Sequence, residues 1–361
     1  MRFVSTTTPL LLCSLHAFAF AFAPIAHRRD FVSCAAIPAA HIPIGDEGDS
    51  SGPLLPPDTK ISTQSDDTNL FLDYINAIRP TTCIQAVGAL LVGYLALVSD
   101  QYARLQSPIV LSAALSVYLS YGAGMVMNDV VDVDYDSKHT SKSDRAIASG
   151  RISKTAAWAY CTILCFVSLA LGQGIGLQYN LWTLSNLAVM LGYALGLQRK
   201  LLLKNFLCAF LAISPLIGAS ILTTLGGSAA SGHVTSSTAL SKLIRLAAVG
   251  FPMHFSREIL KDIEDMETDR GNKATLPLVI GGRSAQRVAF GIVGCVCCVM
   301  IFTPLYWPMF ASRYPIYPSS VAIGLPLCFW ASFLPLSEGQ RLLKRSIYVL
   351  LAGMIGGLLA Q

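Results

Sequence analysis

Charge is scarce in this sequence. Only 13% of its 361 residues are Asp, Glu, Lys or Arg, while 53% are hydrophobic and the mean hydropathy is +0.55. Soluble domains carry about a quarter charged residues, so a soluble globular fold is excluded and a polytopic membrane protein is indicated. Strand-like alternation is missing as well, which leaves helices as the spanning elements. The ten cysteines show no zinc-type pairing. Cys295, Cys297 and Cys298 lie in an apolar stretch without His or carboxylate neighbours and read as buried apolar filler, which also argues against a disulfide framework. No Ser-His-Asp set, no reactive-cysteine setting and no Gly-rich phosphate loop is visible. The net charge of +5 is modest; nothing points to nucleic acid or to an obligate protein partner.

The first residues read as targeting sequence. Met1 and Arg2, a short apolar core around Leu10–Cys13 and an Ala-x-Ala pattern ending near Ala21 form a secretory signal over 1–21. Cleavage there would expose Phe22, followed by His27, Arg28 and Arg29. This arrangement resembles the bipartite plastid presequence of algae with red-lineage secondary plastids; plain secretion is the alternative. Residues 22–68 are rich in Pro, Ser, Gly and Asp and read as plastid transit peptide and disordered linker. The expected location is a plastid membrane, with another endomembrane as alternative.

Between residues 69 and 361 nine apolar segments approach the ~20 residues that a bilayer requires. They fall at 76–98, 107–127, 154–174, 180–197, 205–225, 242–262, 286–306, 316–335 and 340–360. The expected fold is all-α, a polytopic membrane bundle of nine transmembrane helices. Loops after the even-numbered segments carry fifteen Lys and Arg, against four on the opposite side. The positive-inside rule therefore sets one basic face, which in a plastid would be the stromal side.

Against this background, about half of the 21 acidic residues crowd into two short windows, 128–136 and 258–269. Each ends an even-numbered segment on the basic face, and each holds Asp at i, i+3 and i+7: Asp129, Asp132 and Asp136, then Asp262, Asp265 and Asp269. On a helix these triplets fall within roughly 60° of one another, whereas Asp134, Glu264 and Glu267 point elsewhere and read as solvated charges. Clustered carboxylates raise one another's pKa unless positive charge lies between them. Mg2+ suits such a site, because it takes hard oxygen ligands, keeps several waters and favours one or two carboxylates plus phosphate oxygens. A diphosphate bridging two metal clusters would use each triplet once. Arg145, Arg199, Lys200, Lys204, Lys261 and Lys273 are available on the same face to take up its remaining charge. Two other readings compete. Asp132, Asp134 and Asp136 mimic the start of a calcium loop, but Ser137 stands where Gly is needed and Ser143 where Glu is needed. Ordinary charged helix ends would suit one window better than two with identical spacing.

Asn128 with the first triplet, and the second triplet after Lys261, resemble the paired signatures of UbiA-type intramembrane prenyltransferases over about residues 70–361. Ile78-Arg79-Pro80, the run from Ala148 to Ser153, Tyr193 with Asn205, and Thr275-Leu276-Pro277 with Gly281 agree with that family. Departures are Ala146 for a turn proline, Gln198 for a lysine and Thr268 for a glycine. The resemblance implies Mg2+-dependent transfer of a polyprenyl group from its diphosphate to a lipid or aromatic acceptor in the membrane. It implies the six aspartates as catalytic metal ligands, with Asn128, Arg145, Arg199, Lys200, Lys261 and Lys273 around the diphosphate. The run Arg257–Asp265 is most similar to digeranylgeranylglyceryl phosphate synthase-like members, which implies a geranylgeranyl donor and a geranylgeranylglyceryl phosphate acceptor. A plastid setting favours homogentisate, naphthoate or chlorophyllide acceptors instead. His254 reads as a packed helix residue or an acceptor-side base. A membrane transporter with acidic ion sites is the alternative of another class.

Overall fold

A computed structural model describes residues 67–98, 107–138, 142–225, 236–306 and 316–359. The signal peptide and nearly all of the transit segment lie outside the described residues.

Among these residues every element is helical: α1 Asp67–Ala77, α2 Pro80–Leu97, α3 Pro108–Val131, α4 Val133–Asp136, α5 Lys154–Ile175, α6 Leu177–Leu195, α7 Leu203–Ile213, α8 Pro215–Leu225, α9 Ser236–Glu264, α10 Met266–Asp269, α11 Leu276–Ile280, α12 Gly282–Tyr306, α13 Ile316–Ala331 and α14 Leu336–Leu359. Helix starts follow local chemistry. Pro80 and Pro108 occupy first helical positions, where a missing N–H costs nothing. Ser153 caps α5 by accepting from the Ala156 amide at 3.2 Å. Pro215 separates α7 from α8 within one apolar stretch.

Each of the nine expected segments coincides with helix. Five are long and apolar enough to cross a membrane: 80–97, 108–131, 154–175, 203–225 and Gly282–Ile301. Of the other four, α6 has 19 residues and is less apolar, and the remaining three fall short for local reasons. α13 has 16 residues, α9 ends in the charged second window, and the first turns of α14 carry Glu338, Arg341, Lys344 and Arg345. The crossing count by length and composition is thus five among the described residues, below the nine expected.

α3, α5 and α6 pack together on one side, and α9, α12, α13 and α14 on the other. α2, α7 and α8 join the two groups. Large apolar side chains also face outward, including Leu111, Phe166, Phe329 and Phe333. On an integral membrane protein these faces meet lipid, which solvates them as well as a core would. Cys295 and Cys298 are exposed on α12 and face outward, whereas Cys297 is half-buried and packs against the core.

Close contacts set the α6–α8 packing. The Trp182 indole N–H donates to Ser214 Oγ at 3.2 Å, and Ser214 Oγ pairs with Asn186 Oδ1 at 2.7 Å. A Cβ on Gly218 would meet three atoms of that indole at 2.7–2.9 Å. Gly218→Ala is therefore expected to cost about 1–3 kcal/mol, read as a lower thermal unfolding temperature in detergent. An unchanged transition would contradict this packing.

Candidate active site

The two acidic windows fold alike. α3 ends at Val131, Asp132 caps it at φ −88°, ψ 8°, and α4 adds a single turn. α9 ends at Glu264, Asp265 caps it at φ −85°, ψ 3°, and α10 adds a single turn. Identical spacing thus yields an identical helix, cap and turn. The unbroken helix expected from the sequence is interrupted at the middle aspartate, where ψ is near zero. Backbone bonds continue across the cap: the Asp136 amide donates to Asp132 O at 2.7 Å and the Asp269 amide to Asp265 O at 2.8 Å. The outer aspartates of each triplet, Asp129, Asp136, Asp262 and Asp269, are buried, and the middle ones are half-buried.

The windows meet. The Tyr135 hydroxyl, in the first window, donates to Asp269 Oδ1, in the second, at 2.7 Å. Lys142, in the loop after the first window, reaches Asp265 Oδ2 at 3.0 Å. Lys273, after the second window, lies 4.4 Å from the Tyr135 ring centroid and 3.4 Å from Asp269 Oδ1. Both triplets therefore share one end of the bundle.

Buried carboxylates demand partners, and each aspartate has one. Arg145 bridges Asp129 at 3.1 Å and Asp136 at 2.6 Å. Arg79 also pairs with Asp129. The Gln198 amide donates to both oxygens of Asp132, at 3.0 and 3.1 Å. Lys204 pairs with Asp262, whose other oxygen accepts from the Asn205 amide at 2.8 Å. Burial pushes the Asp132 and Asp136 carboxyls above the usual range, against the opposing pull of Gln198 on the first and Arg145 on the second. Burial and the bond to Asp269 raise the Tyr135 hydroxyl, keeping it protonated and able to donate.

Of the basic residues expected around a diphosphate, Arg145 and Lys273 contact the aspartates. Lys261 is also at this end but pairs with Glu258, at 3.0 Å. Arg199 and Lys200 are exposed, while Gln198 beside them is buried and reaches Asp132. Asn128 is half-buried, and its Oδ1 is a buried acceptor without a hydrogen-bond partner among the described residues. Asp134 is exposed and pairs with Lys154 at 3.1 Å, while Glu264 and Glu267 are exposed, as expected for solvated charges. Arg79, Tyr135, Lys142 and Gln198 were not expected as site residues. The signal for Arg79 was local: it precedes Pro80, which disfavours αR, and it adopts φ 51°, ψ 71°. That left-handed geometry costs a non-glycine about 1–2 kcal/mol and coincides with its reach to Asp129.

Behind the aspartates lies an apolar cavity of about 90 Å3 between α2, α9 and α14, with contributions from α7, α8 and α12. Its polar wall groups include Gln85 and His254, whose Nε2 atoms are 3.0 Å apart. An amide nitrogen can only donate, so His254 Nε2 accepts in this pairing.

Lys204 and Asp262 have side chains 8% and 0% exposed. Removing one partner strands a buried charge, at about 3–5 kcal/mol. Lys204→Met is therefore expected to lower the unfolding temperature sharply, and Lys204→Met with Asp262→Asn to recover much of the loss. Equal transitions for the native protein and the single variant would contradict the pairing.

Comparison with known proteins agrees with this geometry. Residues 86–351 match the UbiA prenyltransferase family. The chain is 34% identical over 212 residues to a protein named digeranylgeranylglyceryl phosphate synthase from Methanothermobacter thermautotrophicus, covering 58% of this chain and 67% of the relative. A UbiA homologue from Aeropyrum pernix superposes with TM-score 0.61 at 17% identity, covering 77% of this chain and 96% of that one. A UbiA homologue from Archaeoglobus fulgidus, bound to GPP and Mg2+, superposes with TM-score 0.54 at 18% identity, covering 79% and 98%. These likenesses in structure show the fold. The family match, the helical bundle and two aspartate motifs meeting at one end lead to one assignment: the chain belongs to the UbiA prenyltransferase family.

Proposed function

We propose that this prenyltransferase moves a polyprenyl group, geranylgeranyl by motif resemblance, from its diphosphate to a lipid acceptor of the glyceryl phosphate type. The observation that carries the reading is the Tyr135–Asp269 bond, which holds the two aspartate motifs against each other. One diphosphate can then touch both. Relatives named digeranylgeranylglyceryl phosphate synthase support the acceptor class. Family membership displaces the transporter alternative, and no observation favours the aromatic or pigment acceptors. A plastid membrane, with the site on the stromal side, is proposed on the N-terminal sequence and the loop charges alone.

The residues fit Mg2+. Asp269 Oδ2 and Asn128 Oδ1 are buried oxygens without hydrogen-bond partners among the described residues, one in each motif. Among the described residues no three His, Cys, Asp or Glu gather closely enough to hold an ion by themselves. That suits a cation bound through one or two carboxylates with phosphate oxygens and water completing the shell. Asp129, Asp132, Asp136, Asp262, Asp265 and Asp269 are the residues that would hold it. Bound Mg2+ supplies positive charge against the departing diphosphate.

The chain's own residues do the rest. Arg145, Lys142 and Lys273 stand among the aspartates and stabilise the charge that grows on the leaving group. The acceptor oxygen bonds to the allylic C1 as the bond from C1 to the diphosphate oxygen breaks. The bonding pair leaves with the diphosphate, which also takes the hydroxyl proton. Apolar walls around the cavity keep water from the cation-like carbon.

Asp129→Asn and Asp265→Asn are each expected to reduce turnover of labelled geranylgeranyl diphosphate at least ~100-fold, while gel filtration shows folded protein. EDTA is expected to stop product and diphosphate release in the native protein. Near-normal activity in both variants, or release indifferent to EDTA, would contradict the assignment.

A further inference from the structure

The cavity has a cationic mouth that the six aspartates do not use. Of the helices that line the cavity, α2, α9 and α14 each carry their lining stripe one or two turns further toward the motif end. On α2, Gln85 is preceded by Thr81; on α9, His254 is followed by Arg257 and Lys261; on α14, Ile347 is preceded by Lys344. The structure joins these ends. Lys344 Nζ donates to Thr81 Oγ1 at 3.3 Å, and the Tyr348 hydroxyl donates to Thr81 O at 2.9 Å. Arg257, Lys261 and Arg79 all lie close enough to act on the Lys344 charge.

The charges do not balance within this group. Arg257 and Lys261 share a single carboxylate, Glu258, at 2.8 Å and 3.0 Å. Lys344 forms no ion pair among the described residues, and its hydrogen bond to Thr81 goes to a neutral hydroxyl. Arg257, Lys261 and Lys344 thus bring three cations to the rim of an apolar cavity, where Glu258 is the carboxylate that pairs directly with the first two and Glu264 lies further along α9. Cations held together in a low-dielectric rim repel one another unless a further anion arrives. In the function proposed above, the donor diphosphate is taken up at the aspartates with Arg145, Lys142 and Lys273, which pair with Asp136, Asp265 and Asp269. The rim charges stand on α9 and α14, on the cavity side of that cluster, and Arg79 is the one residue of the rim that also touches an aspartate.

We propose that Arg257, Lys261 and Lys344 form a subsite for the phosphate monoester of the acceptor lipid, with the lipid chain in the adjoining cavity. This rests on the glyceryl phosphate reading of the acceptor given above. Lys261 is thereby assigned to the acceptor instead of the donor. Thr81 and Tyr348 are positioning residues: the Thr81 hydroxyl and the Tyr348 bond to its carbonyl hold the first turn of α2 beside Lys344. A tethered phosphate at the rim would leave the acceptor's free hydroxyl, a few bonds away, between the rim and the donor carbon. The Gln85–His254 pair is the next polar feature down the same stripe, one helical turn below Arg257.

The test compares geranylgeranylglyceryl phosphate with dephosphorylated geranylgeranylglycerol as acceptors, using the full chain with Mg2+ and geranylgeranyl diphosphate. For Lys344→Gln and Arg257→Gln, KM for the phosphorylated acceptor is expected to rise about tenfold or more. The ratio of kcat/KM for the phosphorylated over the dephosphorylated acceptor is expected to fall by a similar factor, with donor KM shifting less than about twofold. Lys344→Gln is the cleaner variant, because it breaks no ion pair. An unchanged acceptor KM in both variants, or donor KM rising in step with acceptor KM, would overturn the subsite while leaving the acceptor class intact. A native enzyme that uses the dephosphorylated acceptor as well as the phosphorylated one, or neither, would overturn the acceptor reading and the subsite with it.

Discussion

Six carboxylates drawn to one end of an apolar bundle are the constraint around which the molecule is arranged. Taking a carboxylate out of water costs several kcal/mol unless a partner compensates it. The chain meets that demand from many directions at once. Arg79 comes from the start of α2, Arg145 and Lys142 from the loop after α4, Gln198 from the turn after α6, Lys204 and Asn205 from α7, and Lys273 from the stretch before α11. Because these partners come from sequence positions up to 194 residues apart, from Arg79 to Lys273, the aspartate cluster fastens the ends of most helices to one another. The site is thus also a structural clamp.

That clamp explains why the motifs look as they do. A straight helix would direct its last carboxylate along the original axis. Beyond the caps at Asp132 and Asp265 each chain adds one further turn, and these two turns hold Tyr135 and Asp269, which bond to each other. Around this polar end the walls are apolar, and the cavity between α2, α9 and α14 opens beside it. A prenyl transfer enzyme needs this combination: a charged grip for the leaving group and a dry channel for the carbon that becomes cation-like. The cations at the cavity rim add a second polar end, spatially next to the first and balanced differently.

Much of this was legible in the sequence, because membranes make charge conspicuous. In a chain with so few charged residues, two aspartate triplets at the same spacing stand out, and loop charge placed both on one face. The Tyr135–Asp269 bond agrees with that placement. Family membership followed from the same residues. What the sequence concealed was direction. A wheel treats the helix as straight, so it missed the caps at Asp132 and Asp265. Counting charges in a loop made Arg199 and Lys200 the natural partners, yet the chain turns at Leu197–Arg199 so that Gln198 faces inward and both cations face out. Hydropathy located nine segments that are helical, of which five among the described residues are long and apolar enough to cross a membrane; α9 and α14 carry charged turns at the motif end. Lys344 looked like one more topology charge until α14 was seen to place it beside Thr81.

The central claim is that both aspartate motifs hold one diphosphate. Donor affinity measured by titration of geranylgeranyl diphosphate with Mg2+ tests it most directly, across the native protein, Asp132→Asn, Asp265→Asn and the double variant. A shared ligand predicts that each single change weakens binding and that the double variant loses clearly less than the sum of the two, a coupling between distant positions. Losses that simply add, or a motif whose change leaves donor affinity untouched, would contradict the account.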